Sequence, residues 1–127
     1  MAFSIVFGIP DMLRFWQTLQ ARRASGAATK DEVKLLKLLR KTFSLIANNP
    51  KHPGLHTHEI DELSARCGIK VFQSYCENRN PRAMRVYWAY GPKKEQITIL
   101  EIEPHPNDAK SNAYKTVRLS RFGEIEP

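Results

Sequence analysis

The chain predicts an α+β fold in which an N-terminal β-strand and a helical hairpin pack on one face of a mostly antiparallel β-sheet. Three observations predict it. A short β-prone run opens the sequence, two segments with apolar residues at helical spacing follow, and runs alternating with a period of two fill the second half. With 127 residues and 42% hydrophobic content, the whole of 1–127 fits one domain with a single core.

Phe3 to Phe7 reads as the first strand, ended by Gly8 and Pro10. Pro10-Asp11 suits the first turn of a helix, where a missing N–H costs nothing. Met12, Leu13, Trp16 and Leu19 then recur at helical spacing, and Gly26 supplies a stop near Ser25. Thr29-Lys30-Asp31-Glu32 is a capping box that opens a second helix. Val33, Leu36, Leu39, Phe43 and Ile46 form its apolar stripe, with Lys30, Lys34, Lys37 and Lys41 on another face. That lysine face is either a solvated surface or a dock for an acidic peptide or a phosphate backbone. Asn48-Asn49-Pro50 ends the helix, because the residue before a proline is pushed out of α space.

Leu55 to Leu63 carries no clear periodicity, and Cys67-Gly68 reads as a turn. Ile69 to Glu77, rich in Val, Phe and Tyr, reads as a strand, and Asn78-Arg79-Asn80-Pro81 as its connection to the next. Met84, Val86, Trp88 and Tyr90 alternate with Arg85, Tyr87 and Ala89. A period of two puts the large apolar residues on one face and brings Arg85 and Tyr87 together on the other. Gly91 to Gln96 forms a hairpin loop, and Ile97 to Ile102 returns antiparallel. The helical hairpin covers one face, and the face bearing Arg85 and Tyr87 is expected to stay open.

Twenty Lys+Arg against 13 Asp+Glu give a formal charge of +7 and a sequence pI near 9.7, a balance that favours nucleic acid or an acidic protein as partner. No apolar run approaches a membrane span, and MAFSIVFGIPDM lacks the charged and long apolar regions of a secretory signal, so a cytoplasmic protein is expected. Cys67 and Cys76 are in no metal-ligand spacing and read as reduced structural thiols. His56 and His58, with His52 nearby, would set two imidazoles on one side of an extended segment. A third and fourth zinc ligand at suitable spacing are missing, so neither a metal nor another cofactor is expected.

The order of these elements, together with ANNPKHPGLHTHEI, RVYWAYGP and ITILEIEPHP followed by a tyrosine, resembles the RelE/ParE superfamily of type II toxin–antitoxin toxins over most of the chain. The resemblance implies a small basic toxin, of the kind also described as plasmid-stabilisation proteins, held inactive by an acidic antitoxin. RelE-type members are mRNA interferases that cut messenger RNA on the ribosome, whereas ParE-type members poison DNA gyrase. A third possibility within the same fold is a protein without catalysis that binds a partner or nucleic acid. Arg85 matches the arginine that the family places at the start of its penultimate strand. Tyr114 resembles the family's tyrosine near the carboxyl end, and His105 falls where several branches carry a catalytic residue. The loop EPHPNDAKSNAY adds Lys110 to His105.

Cutting RNA through its own 2′-hydroxyl needs a base, an acid and positive charge beside the phosphorus. His105 is the proton-transfer candidate, because an imidazole ordinarily titrates near neutrality. Arg85 offers a bidentate fork for phosphate, which Arg79, Arg82 and Lys51 extend. Tyr87 and Tyr114 offer rings to stack on bases or phenolic protons to donate. Each residue also has a structural reading. His105 lies between two prolines in a rigid turn, Arg85 has Glu77, Glu101 and Glu103 as acidic neighbours across the sheet, and Tyr114 has a packing role open to it.

Overall fold

A computed structural model describes residues 2–76 and 84–104. Its elements are β1 (Ser4–Phe7), α1 (Asp11–Ser25), α2 (Lys30–Asn48), β2 (His58–Glu59), α3 (Asp61–Cys67), β3 (Phe72–Tyr75), β4 (Met84–Tyr90) and β5 (Gln96–Pro104). The sheet order is β1-β5-β4-β3-β2, with β1 parallel to β5 and the other neighbours antiparallel. This is the expected α+β architecture with a mostly antiparallel sheet.

The helical hairpin forms where its sequence signals stand. Asp11 in the first turn and Arg22 and Arg23 in the last complement the dipole of α1. Gly26, at φ 81°, ends the helix in the left-handed region that glycine enters without a Cβ penalty. The Ala27 N–H reaches the Arg22 carbonyl at 2.9 Å and the Gly26 N–H reaches Arg23 at 3.4 Å, the two bonds of a Schellman ending. At the start of α2 the Thr29 hydroxyl accepts from the Glu32 N–H at 3.1 Å, and the Glu32 carboxylate accepts from the Thr29 N–H at 2.9 Å. Glu32 also accepts from the Arg22 Nε at 3.0 Å, so one carboxylate caps α2 and ties it to the end of α1.

These bonds hold the Glu32 carboxyl below the usual carboxylate range, chiefly through Arg22 and then through the Thr29 backbone. A depressed folded-state value contributes stability above the unfolded-state value and loses it as pH falls through the folded one. Wild type is therefore expected to melt above Glu32→Gln at neutral pH, with the gap closing in acid below the carboxylate range. Thermal melts of both proteins across that range check it.

The hairpin buries its stripe on the first face of the sheet. Met12, Leu19, Leu36, Leu39, Phe43 and Ile46 meet Leu55, Val86, Trp88, Ile97 and Ile99 in the larger core. Leu39 and Ile46 are fully buried, and each such side chain contributes about 1.5–3 kcal/mol through removal from water. Phe7, Trp16 and Phe43 form a ring cluster that joins β1 to both helices, with centroids 5.0–5.5 Å apart. Lys30, Lys34, Lys37 and Lys41 are exposed.

The second face is not open as expected. α3 begins within Leu55 to Leu63, the stretch without clear periodicity, and runs on to Cys67, and its Leu63 packs with Ile60, Val71, Tyr87, Ala89 and Leu100 in a second core. A bulge in the β4–β5 ladder makes this possible: Tyr87 pairs with Glu101 and Trp88 with Ile99, so Leu100 is the extra residue and turns to the Tyr87 side. The strand expected over 69–77 begins at Phe72, because α3 runs to Cys67 and Gly68 closes it at φ 74°. The alternation in β4 is as read. Val86 and Trp88 enter the first core, while Tyr87 and Ala89 enter the second. Cys67 and Cys76 are not joined in a disulfide, and no described helix is long and apolar enough to cross a membrane.

Candidate functional site

Chemistry-bearing side chains gather on the second face, where β2, β3 and β4 lie side by side. Antiparallel pairing sets Tyr75 opposite Arg85 and Gln73 opposite Tyr87, and His58 opposite Gln73. Directly opposed residues share a face and touch, so these five residues from three strands form one patch. Arg85 is 1% exposed and Tyr87 is fully buried. The Arg85 guanidinium donates to the Tyr87 hydroxyl at 3.1 Å, and its central carbon lies 5.7 Å from the Tyr75 ring centroid and 5.8 Å from that of Tyr87. A guanidinium between two phenol rings gains cation–π attraction, strongest where water is excluded.

Two exposed imidazoles border the Tyr75 ring. The rings of His56 and His58 lie 6.1 and 6.3 Å from the Tyr75 centroid. Thr57, between them, is anchored from the other face. The Trp88 indole N–H donates to the Ser74 hydroxyl at 2.8 Å, and the Thr57 hydroxyl donates to the Pro50 carbonyl at 2.7 Å. Thr57 has one hydroxyl proton, so in its 2.6 Å bond with Ser74 the serine is the donor. A directed chain Trp88, Ser74, Thr57, Pro50 thus fixes the histidine-bearing segment to the sheet. The same segment starts with a 3-10 turn, Pro53–Leu55, whose Gly54 N–H donates to the His52 Nδ1 at 3.0 Å.

The residues expected from sequence distribute unevenly. Arg85 and Tyr87 share the face predicted for them, but Tyr87 is sealed inside the second core, and Tyr75 is the half-buried ring beside it. Lys51 is exposed in the turn after α2, its N–H bonded to the Asn49 side chain at 3.2 Å. His105, Tyr114, Arg79, Arg82 and Lys110 lie outside the described residues, as does Glu77. Glu101 stands opposite Tyr87 and accepts from the Ile102 N–H at 3.0 Å, and the Glu103 backbone pairs with Arg85. Gln73 and Tyr75 join the site, and so do His56 and His58, which the sequence offers only as an incomplete zinc motif. A period of two carried from β4 across to β3 would have set Tyr75 on the Arg85 face. Among the described residues no group of three or more His, Cys, Asp and Glu side chains is arranged to hold a metal ion.

Comparison of the chain with protein-family models, with curated proteins and with solved structures found no match.

Proposed function

We propose that the chain is the toxin of a type II toxin–antitoxin pair, a RelE-like endoribonuclease that cuts translated messenger RNA in the cytoplasm and is restrained by an acidic antitoxin. The observation that carries this reading is the Arg85 guanidinium held against Tyr75 and Tyr87, with the His56 and His58 imidazoles on the same Tyr75 ring. In RNA the attacking 2′-hydroxyl belongs to the substrate. The protein then has to move two protons and offset the charge that grows on the phosphoryl oxygens. Imidazoles supply proton transfer, and a fixed guanidinium supplies charge without reorganising. A half-buried phenol ring beside them suits an unpaired base, since single-stranded RNA is held by stacking.

The formal charge of +7 supports both partners of the reading. RNA is drawn by it, and an acidic antitoxin is complementary to the exposed lysine face of α2. Incubation of the purified chain with ribosomes and a translated message tests the assignment. New RNA ends within the translated region are expected, and a cognate acidic antitoxin is expected to suppress them. Intact RNA together with gyrase-dependent DNA breaks identifies the ParE-type activity instead. Intact RNA and intact DNA leave a binding protein of this fold.

A further inference from the structure

We propose that His58 is the general base and His56 the general acid of RNA cleavage on this face. The inference rests on the nuclease reading above and assigns its two proton transfers to groups within the described residues. Three observations carry it.

The first is the tautomer of His58. Its Nδ1 lies 3.1 Å from the His56 carbonyl oxygen, which only accepts, so Nδ1 carries the proton. The neutral ring therefore carries its lone pair at Nε2, the atom a general base uses when Nδ1–H is held by an acceptor. Nε2 is 3.3 Å from the side-chain nitrogen of Gln73, a fully buried residue of β3 that donates to it. That bond is long for N–H···N and readily gives way to a substrate hydroxyl.

The second is the backbone at His56. Its φ of 48° and ψ of 45° are left-handed, a region that residues other than glycine rarely adopt. This conformation turns the His56 carbonyl toward the His58 ring. It also keeps an imidazole at a position whose backbone would suit glycine. The third is anchoring: the hydrogen-bond chain through Thr57 fixes the residue between the two histidines, so both rings stay on the Tyr75 side. By register, the charged and titratable residues on the His58 face are Arg85 on β4, Tyr75 on β3 and Glu101 on β5, whereas Glu59 on β2 stands opposite Phe72 on the other face.

The step balances without a metal or redox partner. A bond forms between the 2′-oxygen and phosphorus as the 2′-proton passes to His58 Nε2. The bond from phosphorus to the 5′-oxygen breaks, and that oxygen takes a proton from the His56 imidazolium. A 2′,3′-cyclic phosphate and a 5′-hydroxyl result. Arg85, one layer below against Tyr75, offsets the charge on the non-bridging oxygens.

The test programmes ribosomes with a short synthetic message and follows single-turnover cleavage by wild type, His56→Ala and His58→Ala. Binding of the same message with 2′-O-methyl groups is measured in parallel. Each variant is expected to cleave about 10²–10⁴-fold more slowly, with binding changed by less than about threefold. A message whose scissile 5′-oxygen is replaced by sulfur needs no acid, so it restores cleavage by His56→Ala and not by His58→Ala. His58→Gln, which keeps an amide in place of the ring, and thermal melts of all variants guard against a folding defect. Cleavage within about threefold of wild type in either alanine variant overturns the assignment and leaves the nuclease reading intact. Loss of binding in step with cleavage, or no rescue by sulfur, also overturns it. Absence of cleavage by wild type overturns both.

Discussion

Leu63→Ala lowers the unfolding free energy by about 2–5 kcal/mol, because it removes a fully buried side chain from the smaller of the two cores. Leu63 is the residue of the seven-residue α3 that enters that core, where it meets Tyr87, Ala89 and Leu100 of the central strands. A helix this short does not persist alone, so its place on the sheet depends on that contact. The loss also loosens β2 and the histidine segment, since Ile60, in the same cluster, directly follows β2 and its N–H bonds the Val71 carbonyl at 2.9 Å. Urea unfolding of wild type and variant measures the change. A shift below about 0.5 kcal/mol would mean that α3 is surface decoration and that the second face has no core.

Arg85→Lys reduces RNA cleavage by about 10²-fold or more while keeping the positive charge. The guanidinium is planar, stacks on aromatic faces and donates to the Tyr87 hydroxyl in a fixed direction. A lysine ammonium shares none of this geometry and is more costly to keep out of water. The variant therefore also loses stability, and the two effects are separated by measuring cleavage well below the melting temperature. Single-turnover rates on the ribosome-bound message give the first and thermal melts the second. Rates within about threefold of wild type would show that Arg85 serves only the fold.

Where local signals are strong, the sequence reads correctly. The capping box at Thr29, the glycine after Ser25 and the proline after Asn49 bound α1 and α2 to the residue, because each acts through neighbours a few positions away. The alternation in β4 likewise separates Val86 and Trp88 from Arg85 and Tyr87. The covering of the second face was not legible. α3 has three apolar positions at most in Asp61–Cys67, too few to show a period, and the β4–β5 bulge that turns Leu100 toward it leaves no trace in ILEIE. The site was half legible for the same reason. Arg85 follows from alternation within one strand, whereas Tyr75, Gln73 and the histidines reach it through cross-strand register, which depends on contacts distant in sequence.

The proposed RNA site has two candidate surfaces, the lysine face of α2 and the Tyr75 face of the sheet. Amide chemical-shift mapping with a short 2′-O-methylated RNA, which binds without being cut, distinguishes them directly. The largest changes are expected at His56 to Glu59, Gln73 to Tyr75 and Arg85 to Tyr87, with Lys30 to Lys41 little moved. Changes centred on α2 with the Tyr75 face silent, or no changes at all, would contradict the placement of the RNA site.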